Sequence, residues 1–205
     1  MDHNNILAVV LAGGKSRRFG RDKSQVKLGD KILIDYILSE ILDFYNDILI
    51  VANEPIKFLD SNKITLIEDI RKGLGPLGGV FSAMKWVRDN KKDYEWVSTF
   101  PVDTPFFKKD HLSKFYKEID LNKSKLFFMK SKNTRHNIFG LWSLELFEKL
   151  ESALNSGDRK VELWANEIGV KTIDFEHENN KDPFFNINTE NDLETAKKLL
   201  NNDQL

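Results

Sequence analysis

Three sets of side chains in this chain are typed and spaced for work on a phosphate ligand. Five cations, Lys15, Arg17, Arg18, Arg21 and Lys23, crowd the stretch directly behind Ala12-Gly13-Gly14. Glycines let a backbone pass close to a ligand with its N–H groups turned inward, and Lys and Arg add charge and directed donors. The combination reads as a polyphosphate cradle, or as a solvated basic loop. Carboxylates stand at Glu68-Asp69 and at Asp103, and carboxylate oxygen suits Mg²⁺, a hard ion that binds alongside substrate phosphates. Asp103 precedes Thr104-Pro105, so an ordinary turn residue is its other reading. Asn186 and Asn188 alternate, which points two amides the same way if the segment is a strand. Otherwise they are turn-forming amides ahead of a helix.

The elements that must position these groups follow from hydrophobic period. Ile6 to Leu11 is an unbroken apolar run stopped by glycine, the mark of a buried strand. A helix pattern at Leu33 to Phe44 is followed by strands at Asp47 to Ala52 and Ile64 to Ile67. Gly73 to Gly79 then opens a helix through Val80, Met84 and Val87, with Pro76 at its first position. Glu95 to Phe100 is a fourth strand, ended by Pro101 and Pro105. Strands alternating with helices predict an α/β fold, a mostly parallel mixed sheet with helices on both faces. Past residue 120, Lys125 to Lys130 and Ile138 to Trp142 have no helix between them and predict an antiparallel excursion. Helices at Leu144 to Leu154 and Val161 to Ile168 follow, the second ended by Gly169. Val170 to Phe175 and Phe184 to Ile187 read as the last strands, and Thr189 caps a closing helix.

In an open parallel sheet ligands collect beyond the carboxyl ends of the strands. The residues there form one set: the glycines and cations after the first strand, Asn53 after the second, Glu68 and Asp69 after the third, Asp103 after the fourth.

Composition sets the outer limits. The chain has 205 residues, enough for one α/β domain, with 31 Lys plus Arg against 32 Asp plus Glu and no cysteine. A formal charge of -1 gives no global attraction to nucleic acid or membrane. Disulfides and thiolate chemistry are excluded. The polar N-terminal residues Met1 to Asn5 do not form a secretory signal, and no apolar run approaches the roughly 20 residues of a membrane span. The expectation is a soluble cytoplasmic protein.

Two familiar phosphate loops do not account for the basic stretch. Gly14 and Gly20 enclose five residues and Arg21 follows, so the P-loop spacing is not met. Gly73-Leu74-Gly75-Pro76-Leu77-Gly78 matches the dinucleotide fingerprint by letter, but it follows the third strand rather than the first. The histidines His3, His111, His136 and His177 lack ligand-like spacing. His136 opens the antiparallel segment, as a substrate contact or as a hydrogen-bonded structural histidine.

Leu11 to Gly20 with Asp22-Lys23, then Gly75-Pro76-Leu77-Gly78-Gly79, Pro101-Val102-Asp103-Thr104-Pro105 and Asn186-Ile187-Asn188-Thr189, resemble the molybdenum cofactor guanylyltransferases. The motifs run in the family's order from Ile6 to about Leu199. The resemblance implies a three-layer Rossmann-like nucleotidyltransferase fold in one domain, 1–205. A nucleotide-binding part would cover about 1–105 and an acceptor-binding part about 106–200. It implies transfer of GMP from GTP to the phosphate of molybdopterin, with release of pyrophosphate and a requirement for Mg²⁺. By the same resemblance Leu11, Ala12, Gly13, Gly14, Lys23, Asp69 and Asp103 contact the nucleotide. Arg18, Lys23 and Asp103 serve catalysis, Asp103 holds the metal, and Asn186 and Asn188 face the acceptor. The implied state is a monomer, with transient contact to cofactor-biosynthesis or molybdoenzyme proteins. Gly13-Gly14 after Leu-Ala looks like the guanylyl branch, whereas cytidylyl relatives carry Ala-Gly. A cytidylyl or sugar-phosphate transferase, or a GTP-binding module without turnover, are the alternatives. Departures are Phe19 in place of Met, Val51 where some members have asparagine, and Asn137 where proline is common.

Overall fold

The computed structural model describes residues 3–13, 22–175 and 182–201. In chain order, the elements are β1 (Ile6–Leu11), β2 (Lys27–Leu28), β3 (Lys31–Ile32), α1 (Leu33–Ile41), β4 (Ile48–Ala52) and β5 (Ile64–Glu68). They continue with α2 (Pro76–Asp89), β6 (Trp96–Pro101), α3 (Lys109–Glu118), β7 (Leu126–Ser131), β8 (Thr134–Ser143) and α4 (Phe147–Asn155). The last are α5 (Val161–Ile168), β9 (Lys171–Phe175) and α6 (Glu190–Asn201).

The main sheet has the order β5-β4-β1-β6-β8-β7-β9. β1 pairs in parallel with both β4 and β6, and β4 with β5. β8 runs antiparallel to both β6 and β7, and β9 returns parallel to β7. The expected excursion is therefore one reversed strand, β8, inside an otherwise parallel sheet.

The pleat sorts β1 between two apolar layers. Ile6, Ala8 and Val10 pack toward α1 and α3, while Leu7 and Val9 pack toward α2, α4 and α5. A strand covered on both faces has to be apolar at every position, which is why β1 and β4 read as continuous runs. A third, smaller cluster joins Leu28, Leu33, Phe106, Ile187 and Leu193, and seats α6 against the short β2–β3 hairpin. Among the described residues no helix is long and apolar enough to cross a membrane.

Helix α2 owes its position to its glycines. Gly75 takes φ 68°, ψ −158°, a conformation open to glycine, and Pro76 follows at the helix start with its fixed φ and no N–H to lose. A Cβ at Gly79 would stand 2.9 Å from Leu11 Cδ2, so this glycine lets the helix lie directly on the end of β1.

Two readings of the sequence need correction. Phe184–Ile187 is not a strand. Asp182 Oδ1 accepts from the Phe184 N–H in a local turn, and Phe184 and Ile187 are buried in different clusters. Their apolar character comes from two separate anchorages of a loop. Helix α3 was not foreseen, because Leu112, Phe115 and Tyr116 are its only buried residues among charged ones. Gly169 ends α5 at φ 88°, as its position suggested.

Candidate active site

The order β5-β4-β1-β6 places the change of winding direction between β1 and β6, and a cavity of about 550 Å³ opens there at the carboxyl ends of the strands. Leu11, Ala12 and Gly13 from β1 form one wall, Val51 and Asn53 from β4 another, and Asp69 stands at the end of β5. Pro101, Val102 and Asp103 arrive from β6, Lys23 from the turn before β2, and Asn188 from the loop before α6. The start of α2 closes the far side with Gly73, Gly75, Pro76 and Gly79.

Lys23 sits in a 3₁₀ turn whose N-cap is Asp22, where Asp22 Oδ1 accepts from the Ser24 N–H at 2.9 Å and from Ser24 Oγ at 2.8 Å. That turn aims the ammonium at the end of β6. Lys23 Nζ donates to Asp103 Oδ2 at 2.6 Å and to Asn188 Oδ1 at 2.8 Å. Both members of the ion pair are largely shielded, with side chains 13% and 15% exposed. Charge-assisted bonds in such a setting are stronger than those on an open surface. The second carboxylate oxygen, Asp103 Oδ1, is buried without a hydrogen-bond partner.

A buried carboxylate oxygen with no partner keeps the full cost of desolvation until a ligand supplies positive charge. Among the described residues, no three His, Asp or Glu side chains gather to form a metal cage. A single carboxylate suits a cation that completes its shell with water and phosphate oxygens, as Mg²⁺ does. Asp103 is therefore the residue that could hold one.

The opposite end of the cavity is built for directed hydrogen bonding. Asn53 Nδ2 donates to the Gly13 carbonyl at 2.8 Å, and Asn53 Oδ1 is left buried without a partner. Asp69 is buried. Its Oδ1 accepts from Ser82 Oγ at 2.8 Å and from the Arg71 N–H at 2.9 Å. A Cβ at Gly13 would lie 3.7 Å from Asp69 Oδ2 and 3.7 Å from Asn53 Oδ1, in the space between these acceptors. Glycine at 13 thus keeps that space open for a ligand rather than relieving a clash.

A family model described as "MobA-like NTP transferase domain" matches residues 8–168. The chain belongs to this family. Its curated relatives include molybdenum cofactor guanylyltransferases from Rhizobium rhizogenes, 32% identical with 97% of this chain and 94% of the relative covered, and from Nitrobacter hamburgensis, 29% identical with 93% and 92% covered. The crystal structure of molybdopterin-guanine dinucleotide biosynthesis protein A from Archaeoglobus fulgidus superposes with a TM-score of 0.74. At 24% identity, covering 96% of this chain and 99% of that one, it establishes a shared fold.

Within the MobA-like frame, the cavity gathers Leu11, Ala12, Gly13, Lys23, Asp69, Asp103 and Asn188. Gly14, Arg18 and the rest of 14–21 lie outside the described residues, as does His177. Asn186 is exposed and does not line the cavity, which follows from the loss of the expected strand. His136 is also away from the cavity lining. Its ring stacks on Phe184 with centroids 4.0 Å apart, and its Nε2 lies 2.6 Å from Ser131 Oγ. Ser82 was missing from the expected site, and the resemblance did not name Asn53. The strand-end rule pointed to Asn53, two positions beyond the Val51 at which some relatives have asparagine. Only a polar residue on an apolar helix face marked Ser82.

Proposed function

We propose that this chain transfers GMP from GTP to the terminal phosphate of molybdopterin, forming the guanine dinucleotide and releasing pyrophosphate. An oxygen of the acceptor phosphate attacks the α-phosphorus, and the bond from that phosphorus to the bridging β-oxygen breaks. No enzyme nucleophile is needed. The protein has to align the two phosphates and offset charge gathering on the leaving pyrophosphate.

The observation that carries this reading is the pairing of Lys23 with a half-used Asp103 carboxylate at the winding switch of a MobA-like domain. Lys23 would hold the triphosphate, with Arg18 as a second cation. Asp103 would hold Mg²⁺, which when bound supplies charge stabilisation at the phosphate oxygens. At the other end, Asn53 Oδ1 and Asp69 Oδ2 are acceptors, and guanine offers N–H donors along its pairing edge. Cytosine presents acceptors over most of its pairing edge, so this end favours guanine. The acceptor pterin would enter past Asn188, over the 106–200 part of the chain.

Pyrophosphate release with GTP, Mg²⁺ and molybdopterin is the direct measurement. Thermal shift with each nucleoside triphosphate plus Mg²⁺ gives the base preference, since a ligand at 100 times its dissociation constant adds roughly 2.7 kcal/mol. GTP should give the largest shift. Equal shifts with GTP and CTP would overturn the guanylyl assignment, and binding without pyrophosphate release would leave a nucleotide-binding module.

A further inference from the structure

We propose that the Lys23 ammonium and a divalent cation are alternative occupants of the Asp103 carboxylate, and that Asn188 is the positioning residue that keeps the displaced ammonium at the phosphate end of the cavity. This rests on the metal-dependent transfer proposed above and adds to it a coupling between metal and triphosphate.

Asp103 Oδ2 is engaged by Lys23 at 2.6 Å, while Oδ1 is buried and unpartnered. A divalent ion arriving at Oδ1 places three positive charges around one carboxylate in a shielded site. The metal alone therefore meets a cation already seated and poorly screened from it. A triphosphate reverses the balance, because its oxygens accept from Lys23 and ligate the metal at once. Asn188 gives the lysine a second seat at 2.8 Å that carries no charge and so does not bid strongly for the metal. Its backbone N–H donates to Asp192 Oδ2 at 2.9 Å, and the preceding Ile187 N–H donates to the Asp103 carbonyl at 2.9 Å. Asp103 and Asn188 are thus tied together by the main-chain bond from Ile187 to Asp103. Because the coupling is an equilibrium one, metal must strengthen triphosphate binding by the factor that triphosphate strengthens metal binding.

The test is an Mn²⁺ titration of the full chain without nucleotide, read by the electron paramagnetic resonance of free Mn²⁺ at fixed ionic strength. K23M and K23Q should each bind Mn²⁺ roughly tenfold more tightly than wild type, within the ordinary range of site-to-site coupling. K27Q, which removes the same charge from an exposed lysine outside the cavity, should stay close to wild type. The gain in K23M should vanish in K23M/D103N. N188A removes the second seat, so it should weaken Mn²⁺ binding about threefold in wild type and have no effect in K23M, the non-additivity expected of coupled residues. Wild-type Mn²⁺ affinity in both Lys23 variants overturns the exchange. If D103N still weakens Mn²⁺ binding in that case, the metal-dependent reading of the site stands. If D103N has no effect in either background, both fall. An N188A effect that is the same with and without Lys23 removes Asn188 from the device.

Discussion

The Ile187 backbone N–H donates to the Asp103 carbonyl at 2.9 Å, tying the loop before α6 to the end of β6. Through this bond, the carboxylate of Asp103 and the amide of Asn188 reach Lys23 from two segments fixed to each other. The Lys23 end of the cavity therefore depends on residues remote in sequence.

Asp103→Asn keeps an acceptor for Lys23 and the shape of the side chain, but gives up the charge that a metal requires. Turnover should fall by about 10²- to 10³-fold, the usual loss when one electrostatic contact to a reacting group is removed. The melting temperature should stay close to wild type. Steady-state pyrophosphate release beside a thermal melt checks both, and near-normal turnover would take Asp103 out of the reaction.

Asp192 is the third residue of α6 and closes a reciprocal cap with Thr189. Its N–H donates to Thr189 Oγ1 at 3.2 Å, and its Oδ2 accepts the N–H groups of Thr189 at 2.8 Å and Asn188 at 2.9 Å. Asp192→Ala should cost about 1 kcal/mol of stability and raise the KM for GTP through Asn188, with the larger change in KM rather than kcat.

The same cap has a pH signature. Burial pushes the Asp192 pKa up, but the Asn188 and Thr189 hydrogen bonds and nearby Lys23 outweigh it, leaving the pKa below its ordinary 3.8. A depressed folded-state value means that the unfolded chain binds the proton first. The contribution is complete above 3.8 and is lost as pH falls through the lower folded value. Acid melts of wild type and Asp192→Ala should converge below that window.

At the alkaline end the tyrosines govern. Burial raises Tyr45 well above 10.0, and raises Tyr116 to about 12. Their hydroxyls meet at 2.7 Å inside the core, where Tyr45 also donates to Ser98 Oγ at 3.1 Å. Above pH 10.0 the unfolded chain loses phenolic protons that the fold retains, so stability declines as pH rises from there. Phenolate absorbance for these two residues should emerge together with the loss of circular dichroism, not before it.

Gly140→Ala tests a different kind of constraint. A Cβ there would run into the Phe128 ring and stand 2.7 Å from the Phe127 carbonyl oxygen, part of the backbone of a paired strand. Overpacking of this kind costs about 1–3 kcal/mol, and denaturant midpoints should place the variant near the upper end. Gly79→Ala meets only the movable tip of Leu11. It should cost less stability and show itself in nucleotide affinity, because Leu11 lines the cavity.

What could be read from the sequence tracks what is local. β1 and β4 were legible because strands buried on both faces need unbroken apolar runs, and the strand-end rule then picked out Asp69, Asp103 and Asn53 from position alone. Helix α3 was not legible, since burial of Leu112, Phe115 and Tyr116 depends on a sheet face that the local pattern does not reveal. Phe184 and Ile187 misled for the same reason. Their burial is set by separate clusters, and a period-2 reading supplied a strand that the loop does not form. The Lys23–Asp103–Asn188 arrangement spans separations of 80 and 165 residues and has no local signature at all.

That last separation bears on how the protein is made. Because Lys23 and Asn188 stand 165 residues apart, the parallel core through β6 can form on the ribosome well before the phosphate end of the cavity exists. A growing chain that has emerged only as far as β9 lacks both the Ile187 tether and the Asn188 seat. The Lys23 end of the cavity thus takes its full form only once the segment through Asn188 has been made.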